Sequence, residues 1–366
     1  MSGDSCETSR IRGFDALRAF SVLLVILSHT GLLGRASDAA PILAAAVAVF
    51  NANFGVKTFF VLSGFLITSL LIAEHREAGR IDIPAFMLRR ALRILPLYVV
   101  ILTLAVVLMC LGIARPAWTA ALYSLFYVYN FLPHANEVNY LNHLWSLSVE
   151  EQFYIFWPFV FGLAFGNRRL AVNLVAIGLI GSCCARMLAG YGSELQTHSP
   201  SLWTIPAILP IMAGSVFAIN IDAASAYLRS GMALMLSLCI ICAPLMAPPG
   251  PATDILTAFG ICGVIAWVYL NQSNTLVRRL DSGIIGYIGT ISYGLYMWQG
   301  MLTGNGSYRD AHWPPNIWIG VALTLPVAAL SYRYFERPIR SLGIREGRTN
   351  GKLTAAPRNE LKIVET

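Results

Sequence analysis

Long apolar runs separated by short polar segments dominate the hydropathy pattern of this chain. A helix needs about 20 apolar residues to cross a hydrocarbon core of about 30 Å. The pattern therefore predicts an all-α fold, a polytopic transmembrane helix bundle with ten spans. The ten predicted spans are 14–33, 54–73, 95–112, 148–165, 170–188, 202–219, 232–247, 255–270, 284–303 and 317–334.

An eleventh apolar run, 118–132, is short and rich in tyrosine. Cytoplasmic segments carry an excess of Lys and Arg, so the basic clusters decide whether this run crosses. With ten spans and a cytoplasmic N-terminus, the clusters around 76–93, 168–169 and 278–279 all fall on the cytoplasmic side. A further crossing would move the last two outside. We therefore expect 118–132 to lie at the outer interface or to re-enter, and both termini to be cytoplasmic.

The composition supports a chain solvated mainly by lipid. Apolar residues make up 56% and charged residues 12%, against about 25% charged residues in soluble domains. This excludes a secreted disulfide scaffold, a nucleic-acid binder and a disordered regulator. The net charge of +7 is nearly all arginine and sits between apolar runs, where it sets membrane orientation. The seven cysteines lack metal-ligand spacing, so we expect small hydrophobic residues and no metal site.

The domain organisation follows from the same pattern. No internal repeat and no signal peptide is evident. We expect residues 1–336 to form one membrane domain and residues 337–366 to form a basic cytoplasmic tail that is disordered.

The first span contains three ionisable residues, Asp15, Arg18 and His29. Such residues are costly inside a membrane and suggest function by default. Eleven steps of about 100° return Arg18 and His29 to nearly the same helical face, roughly 16 Å apart along the axis. The structural alternatives are an i,i+3 ion pair between Asp15 and Arg18 and a hydrogen-bonded interfacial histidine. Both interpretations stay open on these residues alone.

Arg90 and Arg93 precede the third span and lie one helical turn apart. Guanidinium groups at that spacing can hold a phosphorylated ligand through paired hydrogen bonds. The alternative is a positive-inside anchor, which the cluster alone favours.

A third polar segment, 142–154, precedes and enters the fourth span. Ser148 and Glu151 have the spacing of a capping box at a helix start. That leaves Glu150, which we place at the membrane level of His29. A histidine with a carboxylate partner can act as a general base near neutral pH.

Six motifs in this order carry a family resemblance over nearly the whole chain. They are Phe-Asp-Ala-Leu-Arg at 14–18 with His29, the Phe-Phe-Val-Leu-Ser-Gly-Phe-Leu-Ile run at 59–67, the Arg90/Arg93 pair, Trp-Ser-Leu-Ser-Val-Glu at 145–150, Ile-Ser-Tyr-Gly-Leu-Tyr at 291–296 and Phe-Glu-Arg-Pro at 335–338. The chain resembles the multi-pass membrane acyltransferase-3 family, whose members O-acylate glycans and other extracytoplasmic hydroxyl acceptors. One departure is Gln299, where many relatives carry histidine, which argues against an essential proton transfer at that position.

The resemblance implies a donor, an acceptor and roles for the residues above. Acyl-CoA, preferably acetyl-CoA, would be the cytoplasmic donor substrate, with no permanently bound cofactor. The acceptor would be a hydroxyl of an extracytoplasmic glycan, and the location the inner (plasma) membrane. Arg90, Arg93 and Arg18 would neutralise the coenzyme A phosphates. His29, oriented by Glu150, would remove the acceptor proton or transiently carry the acyl group.

Two expectations accompany this interpretation. The extra extracytoplasmic hydrolase-like domain of some relatives is expected to be absent, so the membrane domain or a separate partner does the chemistry. The alternative function is a transporter or flippase of a lipid-linked glycan or small molecule, but the paired, broken helices typical of transporters are not evident. A non-catalytic scaffold is a third possibility, which leaves the aligned His, Glu and Arg residues without a purpose.

Overall fold

The computed structural model describes residues 11–163, 168–191, 202–247, 250–304, 313 and 316–342. Within these ranges the chain forms α-helices joined by short turns, and no strand occurs. The helices are α1 Phe14–His29, α2 Leu32–Ala39, α3 Pro41–Val49, α4 Ala52–Ala78, α5 Ile83–Cys110, α6 Trp118–Leu125, α7 Leu144–Leu163, α8 Arg168–Tyr191, α9 Thr204–Ala207, α10 Leu209–Leu228, α11 Gly231–Ile241, α12 Pro251–Leu270, α13 Thr275–Leu280, α14 Gly283–Thr290, α15 Ser292–Thr303 and α16 Ile317–Ser331.

The helical fold is confirmed. Judged by length and hydropathy, fewer described helices could cross a membrane than the ten that the sequence predicts. In the described chain, 5 stretches are long and apolar enough to cross, and α1 with α2 would make a sixth if their 79° bend is one broken span. The other candidate runs form helices that are short, interrupted or less apolar. The qualifying stretches are Pro41–Ala78, Ile83–Cys110, Leu209–Leu228, Pro251–Leu270 and Ile317–Leu342. The ten spans and the cytoplasmic side of the termini stay predictions.

The tyrosine-rich run at 118–132 does not form a crossing helix. Its helix α6 has 8 residues, which extend only about 12 Å at 1.5 Å per residue. The chain then turns at Tyr127, whose φ of 54° is positive, and forms a 3-10 turn over Tyr129–Phe131. Gln152 of α7 donates to the Tyr127 carbonyl oxygen at 2.7 Å. The segment therefore packs against α7, in agreement with the charge pattern.

Close backbone contacts bring α4 onto α10 and α1 onto α14. A methyl group at Gly64 would lie 1.9 Å from the Ile211 carbonyl oxygen, and one at Gly289 would lie 2.0 Å from the Asp15 carbonyl oxygen. Small residues permit such approaches between membrane helices. A methyl group at Gly55 of α4 would likewise lie 2.6 Å from the Ser21 carbonyl oxygen of α1, so α1 packs between α4 and α14.

The first turn of α1 is held by Asp281, a residue more than 260 positions away along the chain. The Asp281 carboxylate accepts hydrogen bonds from the backbone N–H groups of Gly13 at 2.7 Å and Ala16 at 2.9 Å. A helix start has unpaired N–H groups that such a carboxylate satisfies. Asp281 thereby fixes the helix end that carries Asp15 and Arg18.

The last described helix runs past the predicted boundary of the membrane domain. A π-helical turn over Tyr332–Glu336 follows α16, and helix continues to Leu342. Glu336 is buried and accepts from Arg340 Nη2 at 3.0 Å and Ser331 Oγ at 3.2 Å. Of the predicted disordered tail, residues 337–342 are thus helical, and residues 343–366 lie outside the described residues.

Candidate active site

Two cavities open along α1, one at each end of the helix. We call one the arginine cavity, because Arg18, Arg90 and Arg93 line it together with Glu150. We call the other the histidine cavity, because His29 and His143 line it. Each has a volume of about 340 Å³, and ligand sites in proteins commonly measure about 300–1,000 Å³. Each cavity is therefore large enough to hold a substrate.

The arginine cavity brings together the three arginines that the sequence analysis assigned to a phosphorylated ligand. Arg18 also donates to Asp15 Oδ1 at 2.7 Å, so the predicted i,i+3 ion pair forms as well. The two interpretations of Arg18 are therefore compatible, because the paired side chain still lines the cavity.

Arg90 and Arg93 differ from Arg18 because no described carboxylate forms an ion pair with either of them. The Arg90 guanidinium instead lies over two aromatic rings, 5.6 Å from the Phe86 centroid and 5.7 Å from the Tyr154 centroid. Aromatic faces stabilise a cation without neutralising it. The cavity therefore offers two guanidinium groups to an anionic ligand.

Glu150 lies in the arginine cavity and does not contact His29. Its Oε1 accepts a hydrogen bond from Ser63 Oγ at 2.6 Å, and Ser63 Oγ in turn accepts from the Tyr154 hydroxyl at 2.9 Å. The predicted orientation of His29 by Glu150 is therefore wrong. The error came from the helix start, since α7 begins at Leu144 and Glu150 lies more than one turn inside it.

The predicted capping box is wrong for the same reason. Ser148 lies inside α7 and donates from Oγ to the carbonyl oxygen of Leu144 at 3.0 Å, an interior helix contact. Its Oγ also accepts from the backbone N–H of Tyr129 at 3.3 Å. Ser148 thus ties α7 to the 3-10 turn that follows α6.

His29 has Gln299 as its hydrogen-bond partner, with 2.8 Å between Nδ1 and Oε1. The Gln299 amide nitrogen donates to the Tyr296 carbonyl oxygen at 3.2 Å, which turns the amide oxygen toward His29. Nδ1 is then the donor, and Nε2 keeps its lone pair. No described residue hydrogen-bonds Nε2. Gln299, which entered the sequence analysis only as a departure from relatives, is therefore the residue that holds the imidazole.

His143 is a second histidine of this cavity, and no role was assigned to it from the sequence. It is only 4% exposed, and no described residue hydrogen-bonds either ring nitrogen. Its ring packs on the backbone of α15, where a methyl group at Gly300 would lie 2.0 Å from Nδ1. His29 and His143 are 114 positions apart, so no local spacing in the sequence connects them.

A buried ion cluster also lines the histidine cavity. Lys57 Nζ and an Arg186 guanidinium nitrogen both contact the Asp254 carboxylate. These residues come from α4, α8 and α12. The cluster therefore joins three helices at the cavity wall. The sequence did not predict this contact, because the three residues are far apart along the chain.

The two cavities are neighbours, because Val56, Phe60 and Tyr296 line both of them. The Tyr296 hydroxyl is fixed by the His143 carbonyl oxygen at 3.0 Å and by Ser146 Oγ at 2.6 Å. These side chains separate the arginines from the histidines. Within the described chain, no group of three or more His, Cys, Asp or Glu residues could hold a metal ion.

Comparison with known proteins identifies the family of this chain. A family model described as an acyltransferase domain matches residues 11–333. The chain belongs to the acyltransferase-3 family. Its resemblance to that family, inferred from six motifs, is thereby confirmed.

Two curated relatives from Staphylococcus aureus illustrate the similarity. "Putative O-acetyltransferase SACOL0978" (strain COL) is 31% identical over 92% of this chain and 58% of its own length. "O-acetyltransferase OatA" (strain NCTC 8325 / PS 47) is 29% identical over 91% of this chain and 58% of its own length. The chain thus spans little more than half the length of these relatives. No solved structure shows significant similarity.

The late acyltransferase-3 motifs meet in space although they are about 40 residues apart. A methyl group at Gly294 would lie 2.8 Å from Glu336 Oε1. Tyr293 donates from its hydroxyl to the carbonyl oxygen of Ile94 at 2.8 Å, one residue after Arg93. The motifs at 291–296 and 335–338 therefore support the helix that carries the arginines.

Proposed function

We propose that this protein is a membrane O-acyltransferase that moves an acyl group, preferably acetyl, from acyl-CoA to a hydroxyl of a glycan. The observation that carries the proposal is the pairing of two neighbouring cavities. One offers guanidinium groups without carboxylate partners, and the other offers an imidazole nitrogen with a free lone pair. The names of the relatives support an acetyl group.

The donor occupies the arginine cavity in this proposal. Arg90 and Arg93 bind the phosphates of coenzyme A, with paired hydrogen bonds from each planar guanidinium. Arg18 contributes less charge because Asp15 already pairs with it. Glu150 positions the Ser63 hydroxyl and lowers the net positive charge of the cavity. The thioester end of the donor points toward Tyr296, at the wall shared with the histidine cavity.

The acceptor hydroxyl reacts at His29. Nε2 removes the hydroxyl proton while the oxygen forms a bond to the thioester carbonyl carbon. The C–S bond then breaks, and the imidazolium returns the proton to the departing coenzyme A sulfur. Transient attachment of the acyl group to Nε2 is a two-step version of the same transfer. In either case Gln299 accepts from Nδ1 and keeps Nε2 unprotonated before reaction.

The positive-inside rule supplies the orientation in the proposal. The basic clusters before α5 and after α16 support a cytoplasmic position for the arginine cavity, where acyl-CoA is available. The histidine cavity then faces the extracytoplasmic side of the inner (plasma) membrane. Acyl transfer would pass through the wall between the two cavities rather than require the glycan to enter the cell.

The test uses purified full-length protein in detergent, [14C]acetyl-CoA and glycans extracted from a bacterial cell envelope. We expect label on the glycan as an ester that mild alkali releases as acetate. Arg76→Gln is the matched control for substitutions in the arginine cavity, since Arg76 lies in an exposed ion pair with Asp222 and lines neither cavity. Glycan that stays unlabelled while the wild-type protein is folded and binds acetyl-CoA would refute the proposal. A transporter would give that result.

A further inference from the structure

Several polar side chains of the histidine cavity have no hydrogen-bond partner among the described residues. The two nitrogens of the His143 ring are buried and unpaired, and Nε2 of His29 is unbonded. The side-chain amides of Asn53 and Asn142 line the same cavity, and no described group hydrogen-bonds them. A protein normally pairs polar groups that it removes from water, and of these groups only the two His143 nitrogens are fully buried. Asn53 is exposed and Asn142 is half-buried, so both amides are accessible from the cavity. Buried, unpaired nitrogens beside accessible amides therefore indicate a ligand that supplies the missing hydrogen bonds.

His143 is the most informative of these residues because its position is fixed by packing alone. The missing Cβ of Gly300 makes room for the ring, and the Tyr296 ring lies edge-on at 5.8 Å between centroids. Leaving a buried donor or acceptor unpaired destabilises the folded protein. A residue that served only to fill this space would need no nitrogen. The presence of an imidazole at this position, despite its unpaired nitrogens, therefore indicates that the ring contacts a ligand.

The chemistry of the cavity wall indicates the class of that ligand. A neutral imidazole and two primary amides present donors and acceptors side by side, which suits hydroxyl groups because each hydroxyl both donates and accepts. Trp145 lines the cavity beside them, edge-on to Phe60 at 6.1 Å, and an indole face can cover the apolar face of a sugar ring. The arginine cavity has a different wall, because three guanidinium groups line it.

We propose that the histidine cavity is the acceptor subsite and that His143, Asn53 and Asn142 hydrogen-bond hydroxyl groups of a sugar ring. His143 thereby holds the ring so that one hydroxyl reaches Nε2 of His29. This inference rests on the proposed function and adds the location of the acceptor and the residues that recognise it. His143 is a substrate-binding residue in this account and takes no proton.

The test compares His143→Phe with His143→Gln in the full chain. Phenylalanine keeps a ring against Gly300 but has no nitrogen, whereas glutamine keeps one donor and one acceptor. We expect His143→Phe to lower kcat/KM for the envelope glycan by about 10-fold or more, the effect of losing one or two hydrogen bonds. His143→Gln should recover part of that loss. Affinity for acetyl-CoA, measured by isothermal calorimetry, should stay within about 2-fold in both variants, since His143 does not line the arginine cavity.

The matched control is His134→Phe, because His134 is a half-exposed histidine beside Glu137 and lines neither cavity. Glycan kinetics that are unchanged in His143→Phe would overturn the inference and leave the proposed function standing. Equal losses of glycan kinetics and acetyl-CoA affinity would also overturn it, because they indicate a general packing role. A wild-type protein that labels no glycan would refute both proposals together.

Discussion

Replacing Gln299 tests whether its hydrogen bond sets the protonation of His29. Gln299 is fully buried on α15, and Thr303 donates from Oγ1 to its carbonyl oxygen at 2.6 Å. Gln299→Met keeps a side chain of similar length but removes the acceptor that faces Nδ1. Gln299→Glu keeps an acceptor for Nδ1, loses the donor to Tyr296 and introduces a carboxyl group beside His29.

The size of the effect follows from the bond that is lost. A buried hydrogen bond contributes about 0.5–1.5 kcal/mol net, and an unpaired buried N–H costs about 1–3 kcal/mol. Either tautomer then becomes accessible to His29, and the one with a proton on Nε2 cannot act as the base. Since about 1.4 kcal/mol corresponds to a tenfold change in rate, we expect Gln299→Met to lower kcat by about 10- to 100-fold. Gln299→Glu should retain more activity than Gln299→Met.

The assay is steady-state transfer of labelled acetyl groups to the envelope glycan at saturating acetyl-CoA. Selective 15N labelling of histidine provides a second readout, because the protein contains 6 histidines and the nitrogen shifts distinguish the tautomers. The expected spectrum of the wild type has the His29 proton on Nδ1. A Gln299→Met variant with wild-type kcat, or a wild type with the proton on Nε2, would refute the reasoning.

Three other substitutions probe the donor cavity and the helix packing. Arg93→Lys keeps the charge but loses the planar paired donors, so calorimetry should show acetyl-CoA binding weakened by about 1–3 kcal/mol. Glu150→Gln should lower transfer more than Glu151→Gln, because Glu150 lines the arginine cavity and holds Ser63, and initial rates measure the difference. Gly64→Ala should destabilise the fold by about 1–3 kcal/mol, the usual cost of overpacking, seen as a lower thermal unfolding midpoint.

Matched variants show what each result means. Arg76→Lys is the control for Arg93→Lys, because it makes the same substitution outside the cavity and should leave acetyl-CoA affinity unchanged. If Arg93→Lys also left the affinity unchanged, Arg93 would serve only as a positive-inside anchor. Gly181→Ala places a methyl group on α8 where no atom lies within 4 Å, so it should be neutral or stabilising. If Gly181→Ala lowered the thermal unfolding midpoint as much as Gly64→Ala does, the close approach of α4 to α10 would not be the cause of the destabilisation.

The sequence predicted those parts of the site that depend on local periodicity. Arg90 and Arg93 lie one turn apart on a continuous helix, so 3.6-residue geometry places both in one cavity. Arg18 and His29 reach separate cavities because a straight α1 of 16 residues carries them to opposite ends. Helical content and the failure of 118–132 to cross followed from hydropathy and charge in the same way.

Contacts between distant parts of the chain were not predictable by the same reasoning. Gln299 is 270 positions from His29, and the fact that it faces Nδ1 depends on how α15 packs against α1. The partner assigned to His29 was wrong because the true start of α7 moved Glu150 deeper into the bundle. His143 lies next to a motif that was recognised, yet only the packing against Gly300 shows that its ring is buried without a partner.

The most direct test of the account is acetyl transfer by His29→Gln at saturating acetyl-CoA. Glutamine leaves the arginine cavity intact and keeps a polar side chain at the end of α1, but it cannot accept a proton from the acceptor hydroxyl. A general base contributes about 10²- to 10⁴-fold to a rate, so the account predicts a loss of at least about 100-fold with unchanged acetyl-CoA affinity. Transfer at the wild-type rate in His29→Gln would contradict it.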